Sequence, residues 1–74
     1  MKTKHIDFTV LIERDEEGTY IAKVPDIPGC YTQGKTISEV LDRIKEAIDV
    51  CIEAEAQEIK PLQFIGVQRI SIPT

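Results

Sequence analysis

Tryptophan is absent, and two Phe and two Tyr are the only aromatics in 74 residues. So few flat rings leave no stacking platform for single-stranded nucleic acid. Basic residues are scarce too: nine Lys and Arg stand against thirteen Asp and Glu, for a formal net charge of −4. A protein that grips phosphates needs a basic footprint, so no direct nucleic-acid binding is expected, and a basic partner suits the chain better. No apolar run nears the ~18 residues of a membrane span. The polar start Met1 to His5 runs straight into strand pattern without an apolar signal region, which makes a soluble, cytoplasmic protein the expectation. Two cysteines, Cys30 and Cys51, are too few for the disulfide framework of a small secreted domain. They are expected to be reduced and mostly buried.

Catalytic and cofactor signatures are equally thin. The glycines at 18, 29, 34 and 66 fit neither a dinucleotide fingerprint nor a phosphate loop. His5 is the only histidine, at the N-terminal end, and is expected on the surface rather than as a base for Cys30, which lies next to a turn. Structural zinc usually takes four Cys or His ligands, and the chain has three, far apart in sequence. Asp7 is the one carboxylate that could join helix acids around Mg²⁺, but it belongs on the opposite face from them. No catalytic residue, metal or cofactor is assigned.

What the chain does hold is a set of 31 apolar residues, twelve of them Ile, in clear periodic order. That is enough for one small, marginal core, and self-association is an early expectation. Ile6, Phe8, Val10 and Ile12 alternate with polar residues over 5–13, a first strand with one apolar face. Arg14 to Gly18 is a polar turn in which Gly18 can take a positive φ. A second strand spans 19–24, with Tyr20, Ala22 and Val24 on the core face. Keeping both core faces together requires paired residue numbers with an even sum, hence an odd loop of three or five residues. One such register sums to 32 and sets Leu11 opposite Ile21 as an exposed apolar pair. Pro25 and Pro28 end the second strand, because neither can donate to a ladder. Residues 30–33 then read as a short third strand, stopped by Gly34.

Thr36 and Glu39 form a Thr-x-x-Glu capping box. Beyond it Ile37, Val40, Leu41, Ile44, Ala47, Ile48, Cys51 and Ile52 fall in one helical arc, expected to pack on the sheet. Glu39, Asp42, Glu46, Asp49 and Glu53 stack on the far side as an acidic ridge, with Val50 beside them. Glu39–Arg43 is a favourable (i, i+4) pair, whereas Asp42–Glu46 and Asp49–Glu53 repel. Pro61 marks the exit from the helix, 62–66 a connection, and 67–72 a last strand, parallel to the third by a right-handed crossover. The expected fold is a single α+β domain over 1–74, β-β-β-α-β, a small sheet with one packed helix.

Residues 15–41 carry a recognisable order. The run Asp15-Glu16-Glu17-Gly18-Thr19-Tyr20-Ile21-Ala22-Lys23-Val24-Pro25-Asp26-Ile27-Pro28-Gly29-Cys30, followed by Gly34-Lys35-Thr36, Glu39 and Leu41, resembles the HicB-like antitoxin family. Lys35 stands where an acid is common in that family, and Val40 where Ala is. The resemblance implies a truncated ribonuclease-H-like fold used for binding, in dimers or larger assemblies. It implies an inhibitor that masks the active site of a small basic ribonuclease toxin that cleaves mRNA. Many members also carry a C-terminal DNA-binding domain that represses their own operon, which these 74 residues do not supply.

The acidic residues Glu39, Asp42, Glu46, Asp49 and Glu53 are accordingly the expected partner-binding surface, with the open sheet edge as the alternative. Leu11, Ile21 and Val50 are the expected self-association residues. Gly18, Tyr20, Pro25, Pro28, Gly29, Gly34 and Thr36 are expected to shape the fold. Two other readings stay open: an orphan homo-oligomeric interaction domain without a toxin, and a residual metal-dependent nuclease.

Overall fold

Asp15 organises the first hairpin. Its side-chain Oδ1 accepts the N–H groups of Glu17 and Thr19, both at 2.9 Å, and the turn closes with Gly18 at φ +87°. The computed structural model describes residues 6–55 and 62–74. This turn joins β1 (Leu11–Arg14) to β2 (Tyr20–Lys23). The pairing runs Leu11 to Lys23 and Arg14 to Tyr20, so paired numbers sum to 34 and five residues form the loop. The even sum and odd loop are as expected from the alternation. The particular register that would set Leu11 opposite Ile21 is not formed: Ile21 faces Glu13, Leu11 faces Lys23, and both apolar residues are half-buried. The shift centres the turn on Asp15, whose N–H donates to the Thr19 carbonyl at 2.9 Å and whose carbonyl accepts from Gly18 N–H at 3.1 Å, so that the turn closes tightly around residues 16–18. Glu13 and Lys23, on the same face, form an exposed ion pair at 2.8 Å.

Two linked turns carry the chain from β2 to β3 (Tyr31–Gly34). Ile27 N–H donates to the Val24 carbonyl at 3.1 Å and Cys30 N–H to the Ile27 carbonyl at 3.0 Å. Pro25 and Pro28 each occupy the second position, where their fixed φ is pre-set, and Gly29 takes φ +84° at the third position of the second turn. Ile27 is thereby folded into the core, as is Cys30. Cys30 is buried, as expected of a reduced thiol, and Cys51 is half-buried. β3 pairs antiparallel with β2, giving the order β1-β2-β3.

The helix α1 (Ile37–Glu55) starts where the capping box places it. Glu39 N–H donates to Thr36 Oγ1 at 3.0 Å, while the Glu39 carboxylate accepts from Lys35 N–H at 3.3 Å, one residue earlier than in the usual box. Gly34 lets the helix start lie against the sheet: a Cβ there would stand 3.0 Å from the Val40 nitrogen. Val40 and Ile44 sit on Ala22, Val24, Ile27 and Cys30 as the buried core. Phe8, Val10, Ala47, Ile48 and Cys51 pack round it, with Tyr20, whose ring lies 5.8 Å beneath the Arg14 guanidinium.

The helix packs on β2 and β3 and does not touch β1. The expected apolar arc is therefore only partly covered: Ile37, Leu41 and Ile52 on its flank are exposed, as are Ile6 and Ile12 at the first strand. That strand is also shorter than its alternation, since 6–10 lie outside the ladder. The expected fourth strand over 67–72 is not formed, and residues 62–74 belong to no element. His5 and Pro61 lie outside the described residues. The result is a small α+β fold, β-β-β-α.

Asp26, one residue past Pro25, is the buried charged group of this core, 8% exposed. Its carboxylate accepts the backbone N–H of Thr9 at 3.2 Å and that of Leu62. One side chain thus ties together three distant stretches of chain. Asp26→Ala strands both amides and is expected to cost roughly 1–3 kcal/mol, read by urea denaturation. A second expectation concerns Cys30, whose thiol burial pushes from 9.0 up to about 11, with the Cys51 thiol beside it adding to the rise. The fold holds that proton more tightly than the unfolded chain does. Stability from this source is therefore intact below pH 9.0 and drains as pH climbs towards about 11. Urea titrations across that range are expected to show a steeper loss for the native chain than for Cys30→Ala.

Candidate functional site

Opposite the buried stripe of α1, the carboxylates of Asp42, Glu46, Asp49 and Glu53 are all exposed. Successive acids four residues apart stand about 6 Å apart along the axis. Among the described residues the ion pairs are Glu13–Lys23 and Glu39–Arg43, so these four have no cationic partner there. Glu39 differs from them. It is half-buried, caps the helix start, and meets Arg43 Nη1 at 3.2 Å. That same Arg43 nitrogen donates to the Gln33 carbonyl at 2.9 Å, pinning the ridge to β3. The five acids predicted from sequence therefore divide into one that anchors the helix and four that face solvent.

Val50 lies beside this row, 64% exposed. An apolar side chain among carboxylates is one a partner could desolvate. Leu11 and Ile21 lie on the opposite side of the sheet, the face that bears Glu13 and Lys23. Leu11 and Tyr31 border an open apolar groove of about 310 Å³ that Pro28 and Gly29 also line. The acidic row and this groove are separate surfaces, so the structure does not bring Val50 together with Leu11 and Ile21.

Asp26 was not singled out by sequence reasoning. Within the Pro-Asp-x-Pro-Gly run it reads as a turn residue, and only the fold shows that it clasps Thr9 and Leu62. The sequence offers no signal that would have marked it, because burial of an Asp shows only in the fold. Asp7 is exposed. No group of three or more His, Cys, Asp or Glu among the described residues is placed to hold a metal ion. No helix among them is long and apolar enough to cross a membrane.

Comparison with known proteins adds the family. A model described as the HicB-like antitoxin of bacterial toxin–antitoxin systems matches residues 8–69. A UPF0150 protein of Archaeoglobus fulgidus is 43% identical over 90% of this chain and 96% of its own. Another from Thermoplasma acidophilum is 55% identical over 88% of this chain and 94% of its own. A third, from Thermotoga maritima, is 35% identical over the full length of both. The match runs through the turn motif, the helix cap and the acidic ridge alike, and the chain belongs to the HicB-like antitoxin family of bacterial toxin–antitoxin systems.

Proposed function

We propose that this protein is an antitoxin that acts by binding alone, neutralising a small basic mRNA-cleaving ribonuclease by masking its active site with the acidic face of α1. The observation that supports this reading is the row Asp42, Glu46, Asp49 and Glu53, exposed and unpaired among the described residues on a chain of net charge −4. A ribonuclease must attract a phosphodiester backbone, so its active-site cleft is cationic. A rigid helix carrying carboxylates at regular spacing offers that cleft anions it cannot cleave.

The row also stores repulsion. Asp42 with Glu46 and Asp49 with Glu53 are like-charged (i, i+4) pairs, each mildly destabilising to a lone helix. A cationic partner relieves them, which favours encounter and fixes orientation. Val50 supplies an apolar contact within this field, and Glu39 sets the direction of the helix through Thr36 and Arg43. In this reading the protein works in the cytoplasm, where mRNA is, and does not itself bind nucleic acid. Leu11 and Ile21 are left for self-association on the other side of the sheet.

Glu46→Lys combined with Asp49→Lys tests the reading. With the basic ribonuclease of the paired system, the double variant is expected to associate about tenfold more slowly at low salt, with a weaker salt dependence. Both residues are exposed, so the far-UV circular dichroism spectrum should be unchanged. Equal affinity of native and variant protein at low salt would place the contact elsewhere.

A further inference from the structure

Cys30 and Cys51, the only cysteines of the chain, come from separate elements and meet at the core. Cys30 leads into β3, where its backbone is held on both sides. Its N–H donates to the Ile27 carbonyl at 3.0 Å, and its carbonyl accepts from Val24 N–H at 3.0 Å. The residue is 3% exposed. Cys51 lies in the C-terminal half of α1, half-buried, and packs against the same cluster with its thiol beside that of Cys30. A disulfide needs two neighbouring sulfurs, and the packing of the helix on the sheet supplies them.

The two sulfurs are not equivalent. Cys51 is within reach of small solutes, whereas Cys30 is closed off and burial pushes its thiol up to about 11. The thiolate is the form that reacts with an oxidant, so Cys51 reacts first and Cys30 resolves the product. The end of α1 that holds Cys51 is also the less securely fastened. Its last turn carries Glu53 and no basic side chain, so no cation there offsets the negative end of the helix dipole. The other end is held by Glu39 and Arg43.

We propose that Cys30 and Cys51 are a reversible redox pair, which a peroxide closes into an intramolecular disulfide between the segment before β3 and the C-terminal half of α1. The Cys51 thiolate attacks one peroxide oxygen and the O–O bond breaks. The sulfur becomes a sulfenic acid, and the other oxygen leaves as hydroxide and takes up the proton that Cys51 released. The Cys30 thiol then attacks the Cys51 sulfur, the S–O bond breaks, and the departing hydroxide leaves with the Cys30 proton as a second water. The thiols lose two electrons and the peroxide gains them. A dithiol reductant reverses the change by exchange, so in a reducing compartment the disulfide is transient. Cys51 stands between Asp49 and Glu53 in the chain, and the bond fastens that half of the acidic row to the sheet. The pairing does not depend on the antitoxin reading.

The test is hydrogen peroxide added to the full chain. The product is expected to keep the single-chain mass of 8.3 kDa less two hydrogens. A non-reducing tryptic map is expected to join the peptides that hold Cys30 and Cys51. The thermal midpoint is expected to rise by roughly 10 °C and to return with dithiothreitol. Cys51→Ser is expected to slow loss of the Cys30 thiol at least about tenfold. Cys30→Ala, its fold checked by far-UV circular dichroism, is expected to leave a Cys51 sulfenic acid that dimedone traps. Oxidation of Cys51 to a sulfinic acid with Cys30 still a thiol overturns the proposal. So does a disulfide between two copies, the absence of any reaction, or an intramolecular disulfide that fails to raise the thermal midpoint.

Discussion

The contact of α1 with β2 and β3, and not with β1, is the constraint from which the other features follow. Gly34 brings the helix start against the sheet, Thr36 and Glu39 fix its direction, and Arg43 fastens it to the Gln33 carbonyl. Val40 and Ile44 then close over Ala22, and a single helix is spent on two strands. A chain of this size buries only roughly 60% of the surface its unfolded form exposes. Here the uncovered strand leaves Ile6, Ile12, Ile37 and Leu41 partly in water.

Much of this was legible in the sequence because it is local. The period of two fixed which residues of the first hairpin face the core, and hence the parity of its register. The Thr36–Glu39 spacing located the helix start within a residue. Gly18 and the two prolines announced turns, each for a reason of backbone geometry. The register itself was not legible, because registers two residues apart satisfy the same parity. What decides between them is the Asp15 carboxylate bonding to Glu17 and Thr19. Nor was the role of Asp26, which depends on Thr9 and Leu62 arriving from far along the chain.

The last strand is a different case. Ile70 and Ile72 do carry strand alternation, but alternation shows only that a segment suits a ladder, not that one is within reach. In the lone chain no ladder is made. The same limit applied to the helix arc, where periodicity grouped Ile37, Leu41 and Ile52 with Val40 and Ile44 although the sheet covers only the latter pair. The acidic row was read correctly as a continuous face, but its inner division was not. Glu39 is engaged by Lys35 and Arg43, while the other four acids meet solvent.

These features describe a molecule organised to be recognised. Its buried groups serve the fold, and the carboxylates of Asp42, Glu46, Asp49 and Glu53, unpaired among the described residues, lie along one face of α1. The central claim, that such a surface inhibits by occupation, is tested most directly by titrating the protein into an RNA-cleavage assay of its paired basic ribonuclease. The account predicts that cleavage falls linearly to nothing at a fixed stoichiometric ratio, while the protein alone cleaves no RNA with Mg²⁺ or Mn²⁺. Undiminished cleavage by a complex shown to have formed, or cleavage by the protein alone, would contradict it.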